Sequence, residues 1–134
     1  MSNKEMLAVA LRARSRAYAP YSGFAVGVAL LTGTGRVFGG CNVENLSLGL
    51  TICAERAAVA AAVAEGEKDF VRIAIMADSA EPAVPCGACR QVLAEFNPNI
   101  KIVTSTLQNR IQEFSLSDLL PRPRQGILER VSDV

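Results

Sequence analysis

Three of the four cysteines in this chain of 134 residues stand in two short motifs that could hold a metal ion. Cys53-Ala54-Glu55 begins one apolar stretch, and Pro85-Cys86-Gly87-Ala88-Cys89 begins another. Three thiolates can hold a tetrahedral zinc ion and leave its fourth position to water. A carboxylate two residues after the first ligand could move that water's protons, so the pattern predicts metal-assisted hydrolysis with Glu55 as acid and base.

The spacing of the cysteines is typical of helices that present their first turns to a metal. Cys86 and Cys89 are three residues apart, so one helical turn places both sulfurs on the same face. Cys53 comes from the start of a different helix, and the positive ends of two helix dipoles stabilise thiolates. Three thiolates leave a zinc site with net negative charge, and Arg56 and Arg90 are the candidates to balance it.

The fourth cysteine, Cys41, leaves a second interpretation open. A site with four cysteine ligands would be closed and structural, and the chain would then be a zinc-stabilised binding module without catalysis. Glu55 would have no purpose in such a module. Because Cys41 ends a predicted strand after Gly39-Gly40, a small buried side chain is the favoured interpretation.

The composition excludes several classes of function. There is no histidine, which removes Ser-His-Asp and Cys-His catalysis and histidine-ligated metals. The net charge of +1 provides no electrostatic surface for nucleic acid, and no apolar run reaches the length of a membrane span. A charged N-terminal segment without a signal peptide predicts a cytoplasmic protein whose cysteines are reduced rather than paired in disulfides.

Hydrophobic periodicity and turn residues predict a single α/β domain over residues 1–134. The predicted helices cover residues 4–17, 53–64, 86–96 and 115–120. The predicted strands cover residues 25–31, 36–41, 71–77, 100–105 and 111–114, and residues 121–134 are predicted to be an irregular tail. The first two strands form a hairpin. The last two must be antiparallel, because residues 106–110 are too few for a parallel crossover.

The second predicted helix carries an unusual run of small apolar side chains. Residues 57–64 are alanine and valine throughout, so this helix should be buried on most sides. This helix could pack against the core of its own chain or against a helix of a second subunit, and the sequence does not decide between the two.

Four stretches of the chain resemble the short, homotetrameric cytidine deaminases of pyrimidine salvage. They read YAPYSGFAVG at residues 18–27, GCNVEN at 40–45, TICAER at 51–56 and PCGACRQ at 85–91. The resemblance implies a three-layer α/β/α sandwich on a five-stranded mixed sheet, with strands 4 and 5 antiparallel. It implies one zinc ion per chain on Cys53, Cys86 and Cys89, with Glu55 shuttling protons and Arg56 donating to ligand sulfurs.

The resemblance also implies a nucleoside pocket. Asn42 and Glu44 would hold the ribose 3′-hydroxyl, Phe24 would pack on the pyrimidine, and the backbone around Ala54 would donate to the base carbonyl. The alternative for Asn42 and Glu44 is ordinary loop capping, and for Phe24 a place in the core. The implied reaction converts cytidine and 2′-deoxycytidine to uridine and 2′-deoxyuridine with release of ammonia. Deamination of a modified nucleoside such as blasticidin S is the alternative.

Two departures from the family pattern concern substrate preference. Relatives commonly carry a small residue and then an aromatic in the loop after Asn45, where this chain has Leu46 and Leu48. Many also offer a C-terminal aromatic, and none follows Leu120 here. Both positions normally help to complete a neighbouring subunit's pocket, so the expected homotetramer would have altered pocket edges.

Overall fold

The computed structural model describes residues 1–125 of the chain. Its helices are α1 (Asn3–Arg14), α2 (Ala54–Ala64), α3 (Gly87–Phe96) and α4 (Leu116–Leu119), with a 3₁₀ turn at Leu48–Leu50. Its strands are β1 (Val26–Thr32), β2 (Val37–Cys41), β3 (Phe70–Ala77), β4 (Lys101–Thr106) and β5 (Ile111–Ser115).

The strands form one mixed five-stranded sheet in the order β2-β1-β3-β4-β5. Strand β1 pairs antiparallel with both β2 and β3, and β3 pairs parallel with β4. Strand β5 returns antiparallel to β4, with Ile102 opposite Phe114. The prediction of an antiparallel last pair is therefore confirmed, since residues 107–110 can form only a tight turn.

Helices cover both faces of the sheet, which confirms the three-layer α/β/α architecture. On one face α1 packs Met6, Leu7 and Ala10 against the side chains of β1 and β3. On the other face α2, α3 and α4 enclose a larger core. Its buried members include Val28, Leu30, Ala58, Val59, Ile73, Ile75, Leu93, Ile102 and Leu116. Both motifs with cysteines lie on this second face, so the larger core supports the candidate site.

Every helix and strand has at least one boundary that differs from the sequence prediction, in most cases by one residue. Helix α1 ends at Arg14 rather than at residue 17, because Tyr18 pairs with the extended chain after β2: its N–H donates to Asn42 O and its carbonyl accepts from Glu44 N. Helices α2 and α3 each begin one residue later than predicted. Cys53 and Cys86 are consequently N-cap residues with extended backbones, and Cys89 alone lies inside a helix.

A glycine in β2 allows α2 to lie unusually close to the sheet. A Cβ built on Gly40 would stand 2.4 Å from Ala54 O and 2.7 Å from Ala58 N, closer than atoms can approach. The neighbouring Gly39 has room, with Ala13 Cβ at 3.6 Å. The first turn of α2, which carries Glu55, is therefore seated directly on the backbone of β2.

The end of the chain is only partly described. Residues 121–125 form no helix or strand, and the rest of the tail predicted for 121–134 lies outside the described residues. None of the helices within residues 1–125 has the length and hydrophobicity of a membrane span.

Candidate active site

The two cysteine motifs meet at the N-termini of α2 and α3. The Sγ atoms of Cys53, Cys86 and Cys89 all lie within 4.8 Å of one another, and those of Cys53 and Cys86 are 3.9 Å apart. Sulfurs around a tetrahedral zinc at the usual Zn–S distance of about 2.3 Å stand about 3.8 Å apart. The cluster therefore has the donor type that zinc prefers, and its Cys53–Cys86 pair has the spacing of two zinc ligands.

The helix ends leave these sulfurs free to bind a metal. The side chain of Cys53 makes no capping hydrogen bond at α2, and the Cys86 sulfur faces the first N–H groups of α3. The unpaired N–H groups and positive dipole ends of α2 and α3 both point toward the cluster, which favours thiolates over thiols.

Hydrogen bonding and burial shift the pKa values of Cys86 and Cys89 in opposite directions. Burial opposes ionisation of Cys86, but hydrogen bonds from the backbone N–H and thiol of Cys89, the Cys53 thiol and the Ala88 N–H outweigh it and lower the Cys86 pKa. Burial, together with the nearby negative charges of Glu55 and Cys53, raises the pKa of Cys89. Three thiolates so close together repel one another, so the full set of ligands needs a cation to form.

Arg56 lies against the cluster. Its Nη2 donates to Cys53 Sγ at 3.3 Å, and this hydrogen bond is the main cause of a raised Arg56 pKa. Its Nε is buried without a hydrogen-bond partner among the described residues. The guanidinium thus brings positive charge to the sulfur cluster, and its role in balancing thiolate charge stays a prediction.

Glu55 is a buried carboxyl group in the first turn of α2, with 7% of its surface exposed. Burial is the main cause of a raised pKa, which its own backbone N–H and the charge of Arg56 oppose. A carboxyl group in this environment exchanges protons nearer to neutral pH than an exposed glutamate does. It is positioned to act on whatever occupies the adjoining cavity.

Cys41 stays apart from the three clustered cysteines. It is a half-buried free thiol at the end of β2, opposite Gly27. Among the described residues, the metal-ligating cluster contains Cys53, Cys86 and Cys89 without Cys41. The arrangement favours an open three-cysteine site over a closed site with four ligands.

A cavity of about 210 Å³ adjoins the cluster and Glu55. Its lining residues come from every motif that the sequence singled out and from two further segments. They are Phe24, Val26, Asn42, Thr51, Cys53, Ala54, Glu55, Ile75, Ala83, Val84 and Cys86. Phe24 is 42% exposed, so it belongs to the rim of this cavity rather than to the core. Ala54 is the first residue of α2, where backbone N–H groups lack partners within the helix.

Asn42 lines the cavity while its amide also organises the surrounding loop. Its Oδ1 accepts from Val26 N at 2.9 Å, and its Nδ2 donates to Phe24 O at 2.8 Å. An amide group has a second N–H and a second lone pair, so one donor and one acceptor position remain beyond these bonds.

Glu44 lies outside the lining of this cavity. Its Oε1 accepts from Tyr21 N at 2.8 Å and Ser22 N at 3.1 Å, and its Oε2 accepts from the Ser22 hydroxyl. The Ser22 hydrogen bonds are the main cause of a lowered Glu44 pKa. In this structure Glu44 therefore holds the 20–24 loop, which carries Phe24.

The sequence analysis did not single out the residues that complete the cavity. Ile75 forms part of it from β3, and Ala83 and Val84 contribute from the loop before Cys86. Short aliphatic side chains in a strand and a loop carry no chemical signature. Only their proximity to Pro85-Cys86 in the sequence could have indicated Ala83 and Val84.

The family described as the cytidine and deoxycytidylate deaminase zinc-binding region matches residues 1–106. The chain belongs to this family. The match, together with the three clustered sulfurs, confirms the prediction of one zinc ion per chain.

Relatives of known structure or curated name agree with this assignment. Cytidine deaminase of Halalkalibacterium halodurans is 50% identical over 122 residues, covering 90% of this chain and 92% of its own. A crystal structure of cytidine deaminase from Burkholderia pseudomallei superposes with a TM-score of 0.88 at 46% identity, covering 90% of this chain and 98% of that one. A blasticidin-S deaminase of Bacillus cereus is also similar, at 27% identity over 104 residues, 72% of this chain and 74% of its own.

Proposed function

We propose that this protein deaminates cytidine and 2′-deoxycytidine by hydrolysis, giving uridine and 2′-deoxyuridine and releasing ammonia. The observation that carries the proposal is the buried carboxyl group of Glu55, which lines a small cavity together with sulfurs of a three-cysteine cluster. The names of the relatives at 50% and 43% identity support the choice of substrate.

Cys53, Cys86 and Cys89 would hold the zinc ion, with Arg56 balancing part of their charge. Zinc in such a site supplies a water molecule acidic enough to attack at neutral pH. Glu55 would accept a proton from the attacking water and deliver it to N3 of the pyrimidine. When the bond from C4 to the exocyclic nitrogen breaks, Glu55 would help to protonate the leaving group, which departs as ammonia.

The cavity offers contacts for a nucleoside. The ring of Phe24 would pack on the face of the pyrimidine. The backbone N–H groups at the start of α2, near Ala54, would donate to the base carbonyl. Asn42 would use its remaining donor and acceptor for a ribose hydroxyl. Glu44 would bind the same hydroxyl only after giving up one of its hydrogen bonds with Ser22.

The proposal also includes a cytoplasmic location, a role in pyrimidine salvage and assembly as a homotetramer. The assembly is supported by the exposed apolar residues just before Thr51 of the cavity lining: Leu46 is 80% exposed, Leu48 71% and Leu50 66%. The outer side of α2 is also apolar and exposed, at Ala60, Ala61, Val63 and Ala64. Covering these side chains with neighbouring subunits would remove apolar area from water and close the open side of the cavity.

An absorbance assay on zinc-loaded protein tests the function. Cytidine, deoxycytidine and blasticidin S are offered at equal concentration, and the loss of the cytosine chromophore is followed. We expect turnover of both simple nucleosides at a higher kcat/KM than blasticidin S. Preferential turnover of blasticidin S would favour the modified nucleoside, to which the relative from Bacillus cereus gives some support. Absence of turnover on all three would reject the proposal.

A further inference from the structure

The loop at residues 78–85, here called the wall loop, joins β3 to α3 and ends directly before the cluster. Two of its residues, Ala83 and Val84, line the cavity. Within residues 1–125, residues 79–85 make no hydrogen bond from backbone to backbone. Pro82 and Pro85 have no N–H to give. The position of the wall loop must therefore depend on other contacts.

Side-chain donors hold the wall loop by its carbonyl groups. They are Ser79 Oγ to Glu81 O at 2.6 Å, Arg110 Nη1 to Ala80 O at 2.9 Å, Thr104 Oγ1 to Ala83 O at 2.6 Å, and Arg90 Nε to Pro85 O at 2.7 Å. Among these carbonyl groups, that of Ala83 belongs to a residue that lines the cavity.

Thr104 connects β3 and the wall loop, which both contribute residues to the cavity lining. It is fully buried on β4, and in the sheet it is registered opposite Ile75 of β3, which lines the cavity. A buried hydroxyl group needs a partner, because leaving it unpaired away from water is costly. The bond to Ala83 meets this need and fixes the distance between the sheet and the wall loop.

We propose that Thr104 is a positioning residue that sets the wall of the nucleoside pocket through Ala83. This inference rests on the proposed function for its substrate. Without the hydroxyl the wall loop would keep its anchors at Ala80 and Pro85 but lose the one at the cavity. The pyrimidine would then contact a less ordered loop at Ala83 and Val84. The affinities for substrate and product would therefore fall together.

Three substitutions separate positioning from general stability. Thr104→Val keeps the shape of the side chain and removes the donor, and Thr104→Ser keeps the donor. Thr32→Val is the matched control, because Thr32 is a buried threonine of β1, 1% exposed, whose hydroxyl bonds locally at Thr34 and Arg36 O, away from the cavity lining.

For Thr104→Val we expect KM for cytidine and Kd for uridine to rise about three- to tenfold, the effect of losing one neutral hydrogen bond. We expect a smaller change in kcat, one zinc ion per chain, and lower methyl order parameters for Ala83 and Val84 in NMR relaxation. Thr104→Ser should stay close to the unsubstituted protein. Thr32→Val should lower the Tm without changing KM, Kd or the methyl order parameters of Ala83 and Val84.

The inference fails if Thr104→Val binds uridine and turns over cytidine unchanged, if Thr104→Ser behaves like Thr104→Val, or if Thr32→Val weakens binding equally. Zinc loss from folded Thr104→Val would also overturn it, because the hydroxyl would then act on the cluster. If the unsubstituted protein neither turns over cytidine nor binds uridine, the proposed function fails instead. In that case the methyl order parameters of Ala83 and Val84 still decide whether Thr104 orders the wall loop: unchanged values in Thr104→Val would overturn the inference.

Discussion

Glu55 is the residue on which the proposed chemistry depends most directly. Glu55→Gln keeps the size of the side chain but removes its ability to exchange protons. We expect kcat to fall by a factor of about 10²–10⁴, the usual contribution of a general acid and base. Zinc content and Tm should change little, because the carboxyl group is not one of the clustered sulfurs. Zinc analysis beside steady-state kinetics checks this, and near-normal turnover by the zinc-loaded variant would remove Glu55 from its assigned role.

The four cysteines divide into three that should bind zinc and one that should not. Replacing Cys53, Cys86 or Cys89 by alanine should abolish stoichiometric zinc binding and, with it, activity. Cys41→Ser is the matched control, since Cys41 lies outside the cluster. It should bind one zinc ion per chain and remain active. Loss of zinc from folded Cys41→Ser protein, measured by metal analysis, would instead favour the structural site with four ligands.

At the scale of elements, the close seating of α2 on β2 places Cys53 and Glu55. Gly40→Ala would force a Cβ to within 2.4 Å of Ala54 O, so α2 must shift outward. We expect a loss of about 1–3 kcal/mol in the free energy of unfolding, as for other overpacked sites, and a clear loss of zinc affinity.

Gly39→Ala provides the control for this substitution on the same strand. Its Cβ would meet Ala13 Cβ at 3.6 Å, which is an ordinary contact. Denaturation and zinc titration of both variants compare the two sites. Equal behaviour of Gly40→Ala and Gly39→Ala would mean that the seating of α2 does not control the cluster.

Much of this arrangement could be predicted from the sequence, because the informative patterns are local. The short connection before β5 fixed the direction of the last strand, and the spacing of Cys86 and Cys89 placed two sulfurs on one helical turn. The start of α4 is likewise local, since Ser115 N–H donates to Asp118 Oδ2 at 3.1 Å. The end of α1 was predicted three residues too late, because the pairing of Tyr18 with residues 42 and 44 comes from a distant part of the chain.

The contacts of the wall loop could not be predicted for the same reason. Thr104 and Ala83 are 21 residues apart, and neither residue type indicates the other. Arg90 was considered as a charge near the cluster, whereas its Nε donates to Pro85 O and its Nη1 to Leu119 O. Its position beside Cys89 was evident, but its partners depend on how α4 folds back against α3.

At the scale of the whole molecule, α2 leaves an apolar side exposed to solvent. Alanine and valine line its outer side, so the prediction of burial on most sides is met only in part by the single chain. Ala60→Glu places a charge on this outer side and should shift the assembly toward smaller species, with reduced activity if neighbours complete the cavity. Analytical ultracentrifugation measures the change.

Ala8→Glu is the corresponding control for the assembly, because Ala8 is an exposed alanine in the middle of α1 on the opposite face of the sheet. It should leave the mass of the assembly unchanged. A monomeric unsubstituted protein with full activity would contradict the proposed homotetramer, and unchanged mass in Ala60→Glu would place the interface elsewhere.

The 3.9 Å separation of the Cys53 and Cys86 sulfurs makes the site vulnerable to oxidation once zinc is removed. Cys86 is exposed and Cys53 half-buried, so an oxidant such as hydrogen peroxide can reach the pair. The two thiols would give up two protons and two electrons and join as a disulfide, which can no longer bind zinc. We expect chelated protein treated with peroxide to regain activity with zinc only after a thiol reductant is added. Protein kept loaded with zinc should resist the same treatment, so the metal would serve as a protecting group for its own ligands.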